Sequence, residues 1–561
     1  MGHVMFYLAV IAACLLWSAA FVAAAARTER PRLRRLLAAV AVIIPPLALG
    51  PWVGLTGVLA FGAKLTTNWF LPTLFAFVSA IVGGLWIRSA GLIPAVSGRP
   101  FAATWPAVGL AAMFVMAKAI AFGTLLFIDN AVAAKGRALR VEAAQLMQAN
   151  LPLATAPDGD AAPLYLRAFE AIAADPSLGG KDSPLSQPVT ADVTSPRVTE
   201  LLARHAATLE LLRQATDRPG CRFQRDWTRP SISMVLPEVQ EMRQAARLLA
   251  LAARRAMADG DAAAALRDVV RIHRVGIHAS GEPILICGLV GQAIDTLALQ
   301  TLAGVLPRLE QQDLPLLDQP AVSDFLGTPL SYQRHFLGEE AFGLATFGDL
   351  ADGRHGIYNL VLLNALGDRS GSSASEWFLA EPVSFLYRCF LLPADLAVYR
   401  AHMEGHQRFI ARSVTGRSPS EFATQRGEVA DESSLRRAGL ITSAMAPALA
   451  NALQSEMKGR ALHRAAEVLV AATRARLAGG TLPDTVDALV PGRLPVVPRD
   501  PFADGKPLIA RRVGSVWSVY SVGPDGEDDG GPPAAGVQPP EGNDDVGLRM
   551  QVSAGTPFDA P

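Results

Sequence analysis

The sequence predicts a membrane protein in three parts: four transmembrane helices, a mainly α-helical domain of helical hairpins, and a small C-terminal α+β module. The 561 residues are 50% hydrophobic and 18% charged, with a mean hydropathy of +0.26. This composition excludes a disordered chain, which needs little apolar content and much charge. Residues 1–130 hold nine basic and two acidic residues, a charge of +7, whereas the remainder holds 42 basic and 49 acidic residues, a charge of −7. The balanced total predicts no general attraction for nucleic acid.

The basic part contains four long apolar runs, at 4–26, 36–63, 65–87 and 103–128. A bilayer core requires about 20 residues of helix, so each run is long enough to span it. Four tryptophans lie near the ends of these runs, where an amphipathic ring prefers the headgroup level: Trp52, Trp69, Trp86 and Trp105. We therefore expect residues 1–130 to be a four-helix transmembrane domain with membrane lipid as its partner.

The charges of the links predict the orientation. Five arginines lie at 27–35, between the first two runs, whereas the second link holds only Lys64. The positive-inside rule then places the N-terminus outside and everything beyond residue 130 outside as well. Only six of the 51 basic residues are lysine, a bias typical of a high-GC bacterial genome. The predicted location is a bacterial inner membrane with a periplasmic domain. A cleaved signal peptide at the first run, which would leave three spans, is the alternative.

Lys118 is the one charge deep inside a predicted span. An intramembrane charge is costly unless it faces the bundle interior, a cavity or a partner. One interpretation is an ion or proton path, as in a transporter. The other is a shifted boundary or a lysine that extends its amine to the interface.

Residues 131–458 are predicted to form a helical domain. The pattern indicates a helix at 237–258, a turn at 259–261, a second helix to about 279, and a third helix after a break at 280–283. Proline at a first helical position and Gly or Asp in the turns mark these boundaries. Apolar residues recur at spacings of three and four and predict one buried stripe: Met242, Ala246, Leu249, Ala253 and Met257.

The segment His402-Met403-Glu404-Gly405-His406 places two imidazoles at i and i+4 on one helical face, a spacing that can hold zinc. The glutamate is not at the position that the metalloprotease motif requires, and the sequence identifies no third ligand. A solvated helix face is the simpler interpretation. Neither a Gly-x-x-x-x-Gly-Lys loop nor a Gly-x-Ser-x-Gly elbow occurs in the sequence.

The C-terminal part, 459–548, has a distinct order of elements, followed by a tail at 549–561. A helix at about 460–477 leads to a Gly-Gly-Thr-Leu-Pro link, then to Asp500-Pro501-Phe502. Two short strands around a Gly-Ser turn predict a hairpin that ends in Tyr520-Ser521-Val522-Gly523. An acid-rich glycine loop follows it.

This order, over residues 460–531, resembles the globular head of the major pseudopilin of type II secretion, general secretion pathway protein G. The resemblance implies a helix with a β-hairpin and an acidic calcium loop. The four spans and the helical domain take the place of that family's N-terminal apolar helix. The resemblance therefore concerns the module and does not imply a filament subunit.

If the calcium role of that family carries over, the matching side chains are Asp525 with Asp528 or Asp529, and Asp544 and Asp545 complete the site. Hard oxygen ligands on a flexible loop suit calcium. We expect such an ion to be structural. The alternative is an unstructured acidic tail, since Gly, Pro, Asp and Glu fill 523–545.

The sequence thus favours a multi-pass inner-membrane protein with a periplasmic interaction or scaffold domain, linked to secretion or pilus-type machinery through envelope protein partners. A membrane-anchored metal-dependent hydrolase is the alternative, and a transporter is a further one. The incomplete motifs favour a non-enzymatic role without deciding it.

Overall fold

We describe the protein from a computed structural model. The structure describes the following residues: 29–33, 36, 105–152, 156–180, 183–230, 234, 236–352, 387–413, 439–480, 482, 485–503, 505–534, 540 and 542–552. Predicted spans 4–26 and 65–87 lie outside the described residues, and so does 36–63 apart from Leu36. The region predicted as the fourth span, 103–128, falls largely on helix α1, Trp105–Asn150.

The chain divides into two compact units. The first comprises Met1–Arg140 and Thr346–Ala394, and the second comprises Val141–Ala345 and Asp395–Pro561. Helix α12, Leu440–Leu477, is continuous through residue 459, where the sequence predicts the C-terminal module to begin. The strands that follow α12 belong to the same unit as the helical hairpins.

In the first unit, an arginine on α1 is held by two carboxylates. Arg140 donates to Asp352 Oδ2 at 2.7 Å and to Asp349 Oδ1 at 3.4 Å. All three side chains are partly buried, with 13% to 21% of each exposed. The pairing fixes this turn of α1 within its unit.

The second unit is mainly helical. The structure gives these further helices: α2 Ala162–Ala173, α3 Pro196–Arg204, α4 Ala206–Thr216, α5 Pro237–Ala258, α6 Ala262–Ala279, α7 Leu285–Val305, α8 Leu314–Leu317, α9 Pro320–Gly327, α10 Gln333–Ala351 and α11 Leu392–Ser413. Helices α10 and α11 each begin or end in the other unit. The prediction of a helical domain is confirmed.

The central hairpins α5–α6 and α6–α7 agree with the predicted boundaries. Asp261 caps α6, where its side chain accepts a hydrogen bond from the amide of Ala264 at 2.8 Å. The predicted stripe from Met242 to Met257 is at most 8% exposed. Helices α6 and α7 approach closely at Gly276 and Gly291, since a Cβ on Gly291 would lie 2.7 Å from the Gly276 oxygen. Small residues at this crossing permit the backbone contact.

The C-terminal sheet has three antiparallel strands in the order β1-β2-β3: β1 Ile509–Val513, β2 Val516–Ser521 and β3 Val546–Gln551. The predicted hairpin is confirmed. Strand β3 is an addition that the sequence prediction missed, and it pairs Met550 with Trp517 and Leu548 with Val519. All four side chains are at most 2% exposed. Strand β3 packs on α12 and α7, so the sheet and the helices share one hydrophobic core.

Among the described residues, one helical stretch, Leu285–Arg308, is long and apolar enough to cross a membrane. In its most apolar window, 67% is buried inside the protein. The stretch is α7 with the turn after it, and this burial is that of a core helix. It differs from the four runs predicted as spans.

Candidate metal-binding sites

Asp500 connects the Asp-Pro-Phe turn of the C-terminal module to the end of strand β2. Its carboxylate accepts hydrogen bonds from the Phe502 amide at 2.7 Å, the Ser521 hydroxyl at 2.6 Å and the Val522 amide at 3.0 Å. Asp500 is 4% exposed. A carboxylate that satisfies three buried donors fixes the Asp-Pro-Phe turn to the end of β2. This end of β2 is where the acidic loop begins.

The acidic loop folds back on the sheet through its carboxylates. The Tyr520 hydroxyl donates to Asp528 Oδ1 at 2.9 Å, and the Gly530 amide donates to the same oxygen at 3.0 Å. The Asp544 amide donates to Asp529 Oδ2 at 3.0 Å. These bonds hold Asp528 against the end of β2 and join Asp529 to Asp544, which lies just before β3. The prediction of an unstructured tail does not hold for its described part.

Asp545 is the buried member of the acidic set, with 6% of the residue exposed. Its Oδ2 accepts a hydrogen bond from the Gly531 amide at 2.7 Å. Its Oδ1 is buried and has no hydrogen-bond partner anywhere in the described chain. Burial, with a smaller contribution from the charges of Asp528 and Asp529, raises the pKa of this carboxyl to about 6.

The structure therefore brings Asp528, Asp529 and Asp545 into one electrostatic cluster. Asp544 contributes a backbone amide to it. Asp525 instead accepts a hydrogen bond from the Glu527 amide at 3.2 Å, within its own turn. Among the described residues, these carboxylate oxygens do not form a group as closely spaced as that of a preformed metal site. Calcium binding here would rest on the unpartnered Asp545 oxygen and on the flexible sets of oxygen ligands that calcium accepts.

His402 and His406 lie on α11, and their ring centroids are 4.3 Å apart. His406 is 1% exposed, so the interpretation of a solvated face is wrong for it. The His406 Nδ1 donates to the His402 carbonyl at 2.8 Å. Burial lowers the pKa of both rings, that of His402 to about 4 with repulsion from His406 adding to the effect. Glu404 is 69% exposed beside Arg408, away from a shared site.

The Nε2 atoms of both histidines are buried without a hydrogen-bond partner, within the part of the chain that the structure describes. The Nδ1 bond of His406 leaves the lone pair of that ring on Nε2. The predicted zinc interpretation therefore has two candidate ligand atoms and no third from the described residues. Lys118 lies on α1, and its side chain is outside the described set.

A second group of possible ligands joins three helices of the core: His273 on α6, Asp295 on α7 and His463 on α12. His273 Nδ1 lies 2.6 Å from Asp295 Oδ1, and His463 Nε2 lies 2.7 Å from Asp295 Oδ2. The three residues are at most 3% exposed. Their ligand atoms lie within 4.8 Å of one another.

The ring of Phe325, 2% exposed, packs against both imidazoles of this group, with centroid distances of 4.8 Å to His273 and 5.9 Å to His463. Burial disfavours protonation of His463, but its hydrogen bond to Asp295 and the charge of that carboxylate raise the imidazole pKa above its usual value. The bond to Asp295 therefore favours the protonated form of the His463 imidazole against the effect of burial.

No sequence pattern indicates this group because its members are far apart: 22 positions separate His273 from Asp295, and 168 separate Asp295 from His463. Helical spacing compares only neighbours within a few turns. One signal was present, since Asp295 is the sole acidic residue in the apolar helix α7. A buried carboxylate requires a partner, but the sequence does not say which.

A further buried histidine, His278 on α6, has only neutral partners. The Tyr165 hydroxyl lies 3.0 Å from its Nδ1, and the Arg218 carbonyl lies 3.1 Å from its Nε2. The carbonyl accepts only, so Nε2 carries the hydrogen and Nδ1 accepts from the tyrosine. Burial lowers the pKa of His278 to about 4, so the ring is neutral near pH 7.

Comparison with known proteins gives no relative. No protein-family model, no curated protein and no solved structure matches this chain.

Proposed function

We propose that the protein is a multi-pass bacterial inner-membrane scaffold. In this proposal a periplasmic helical unit binds envelope proteins, and a pseudopilin-like C-terminal module is held in shape by calcium. The observation that carries the proposal is the buried, unpartnered oxygen of Asp545 in the acidic loop. It supports a cation-dependent module at the position where the sequence resembles a secretion protein.

The proposed membrane anchor rests on the four apolar runs and on the arginines between the first two. The continuous helix α1 supports the fourth run, because it extends unbroken from Trp105 to Asn150. Cysteine labelling from either side of the membrane tests this topology. Single cysteines in the 27–35 link should react only from the cytoplasm and those at 524–530 only from the periplasm. The reverse pattern would refute it.

Two features of the helical unit support the scaffold role: ion pairs that join its helices, and large apolar side chains that stay exposed. Its buried charges join helices to one another, as in the pair Arg213–Asp268 at 2.8 Å. Large apolar side chains remain exposed: Leu166 at 45%, Ile277 at 37% and Ile286 at 47%. Exposed apolar side chains can contribute to a protein contact. Crosslinking in cells identifies the partners, and capture of secretion or pilus components would support the proposed link.

Calcium would act on the connection between β2 and β3. An ion bound by Asp545 Oδ1 with Asp528 or Asp529 would offset two of the three like charges that the fold brings together. It would also fix the loop to β3, which begins at Val546. The role is structural, because these groups close a turn against the sheet.

Hydrogen exchange on the full chain in detergent tests this module. We expect calcium to slow exchange at 523–534 and 542–552 and to leave α5–α7 unchanged. The variant Asp545→Asn should abolish the response, whereas Asp525→Asn should keep most of it, because Asp525 lies in its own turn. Equal responses in the two variants would contradict the assignment.

A metal-dependent hydrolase is a second candidate, favoured by the two unpartnered Nε2 atoms of His402 and His406. This candidate requires that the protein bind zinc and have a hydrolytic activity. Both should be lost from the double variant His402→Gln/His406→Gln. Retention of all bound zinc by that variant would remove the candidate. The transporter interpretation rests on Lys118, and unchanged function in Lys118→Ala would remove it.

A further inference from the structure

The contacts of His273, Asp295 and His463 specify where hydrogens lie around the shared carboxylate. The Leu326 carbonyl is 3.1 Å from His463 Nδ1 and can only accept, so Nδ1 carries a hydrogen. The other nitrogen, Nε2, faces Asp295 Oδ2 at 2.7 Å. Either a second proton or a metal ion must occupy that gap. Between His273 Nδ1 and Asp295 Oδ1, either the hydrogen of a neutral imidazole or a metal ion can occupy the gap.

The bond from His463 Nδ1 to a main-chain carbonyl is the arrangement that metal-binding histidines use. A ligating imidazole donates its other N–H to a carbonyl or carboxylate, which fixes the ring and directs the remaining lone pair at the metal. Leu326 lies on α9. Helix α9 would thus orient a ligand that belongs to α12.

Gln292 supplies a second, independent observation. It is 4% exposed, and neither its amide oxygen nor its amide nitrogen has a hydrogen-bond partner in the described chain. It lies one turn before Asp295 on α7. It packs over Gly459, one turn before His463 on α12, where an added Cβ would lie 2.3 Å from Gln292 Oε1. An unpaired buried amide beside the group is costly unless it has a further partner.

We propose that His273 Nδ1, His463 Nε2 and Asp295 bind a divalent transition metal, and that Gln292 Oε1 completes the site directly or through a water. Two imidazoles, a carboxylate and a neutral oxygen form a tetrahedral set that suits zinc. The residues are nearly inaccessible to solvent. A closed site of this kind is structural, and the metal clamps α6, α7 and α12 together.

The geometry requires only a small adjustment. Tetrahedral zinc with bonds of about 2.0 Å to nitrogen places its ligand atoms about 3.3 Å apart. The 2.6 and 2.7 Å contacts would lengthen by about 0.6 Å, and the group already lies within a 4.8 Å span. Metal binding displaces the hydrogens between the rings and the carboxylate. The hydrogen on His463 Nδ1 stays and still bonds to the Leu326 carbonyl. Glu467, one turn beyond His463 and within electrostatic reach of it, adds negative charge near the cation.

The test is metal analysis of the full chain, purified in detergent from cells grown with added zinc. We expect about one zinc per chain, and a tetrahedral cobalt spectrum when cobalt replaces zinc in the medium. The variants Asp295→Asn and His463→Gln should lose at least 90% of the metal. Gln292→Leu should keep the metal with about 10-fold weaker affinity, as expected for a weak or outer ligand.

Three control variants separate this site from the others. His278→Gln removes a buried histidine of the same helix α6, and His402→Gln/His406→Gln removes the pair on α11; both should keep the zinc. Asp545→Asn should also keep the zinc. A failure of the calcium proposal can therefore be told apart from a failure of the zinc proposal. Less than 0.1 zinc per chain in the wild type, with no cobalt spectrum, would overturn the proposal in favour of a hydrogen-bonded ion pair. Zinc that is lost with His402 and His406 instead would overturn it as well.

Discussion

Two buried carboxylates of the second unit, Asp295 and Asp545, have opposite surroundings. Asp295 receives an imidazole nitrogen on each oxygen. Asp545 receives one backbone amide and has two further carboxylates as neighbours. A carboxylate that accepts hydrogen bonds from two imidazoles ionises readily, whereas one among like charges gains from a proton or from a metal ion. Protons and metals therefore compete at the histidines in the first site and at the carboxylate itself in the second.

Removal of the central carboxylate should have the largest effect. Asp295→Ala leaves His273 and His463 buried without their acceptor, and breaking such a pair costs about 3–5 kcal/mol. Urea unfolding of the full chain should show a midpoint far below that of the wild type. The matched variant Asp545→Ala in calcium-free buffer should cost much less, because it removes a repelled charge. Equal losses would contradict the contrast between the sites.

His278 sharpens the contrast, because it is a buried histidine without a carboxylate. Its pKa is about 4 in the folded chain against 6.5 as the ordinary value. Between these values the unfolded chain binds more protons, so stability is fully present above pH 6.5 and falls as the pH drops towards 4. The loss should reach about 3 kcal/mol.

Unfolding free energies at pH 7 and pH 4.5 measure the contribution of His278. The variant His278→Gln should be less stable at pH 7 and should show a shallower fall towards acid. An identical slope in the variant and the wild type would exclude His278 as a source of acid sensitivity.

Asp500 extends the comparison to a carboxylate that is satisfied wholly by neutral donors. Asp500→Asn retains one acceptor oxygen but presents an amide NH2 to a buried donor, at a cost of about 2 kcal/mol. Hydrogen exchange should then accelerate in β1, β2 and the 500–503 turn. Exchange in α5–α7 should not change, and uniform acceleration would show that the module does not open separately.

The smallest effect is expected at the surface of the acidic loop. Asp525 is exposed and bonded only within its turn. Asp525→Asn should therefore change the unfolding free energy by less than about 0.5 kcal/mol. A larger loss in thermal unfolding would place Asp525 in the ion-binding cluster.

Local patterns in the sequence predicted much of the second unit. The stripe on α5, the turn at Asp261 and the hairpin β1–β2 follow from spacing and turn residues within a few positions. Strand β3 was missed because its partner β2 lies across a 24-residue acidic segment, although Val546, Leu548 and Met550 alternate as a strand requires.

The candidate sites also differ in whether their residues are close in the sequence or are brought together only by the fold. The acidic residues were found because they are close in sequence, yet only the fold distinguishes Asp545, which is buried, from Asp525, which is not. His273, Asp295 and His463 come from three helices, and no spacing rule joins them. His402 and His406 share a face as predicted, but their burial depends on packing that helical periodicity does not supply.

Calcium titration followed by thermal unfolding of the full chain in detergent tests the central claim most directly. For a site of about 0.1 mM affinity, 10 mM calcium should stabilise the folded chain by about 2.7 kcal/mol. The stabilisation should vanish in Asp545→Asn and persist in Asp295→Asn, measured relative to each variant without calcium. A calcium response that is absent from the wild type, or equal in Asp545→Asn, would contradict the account.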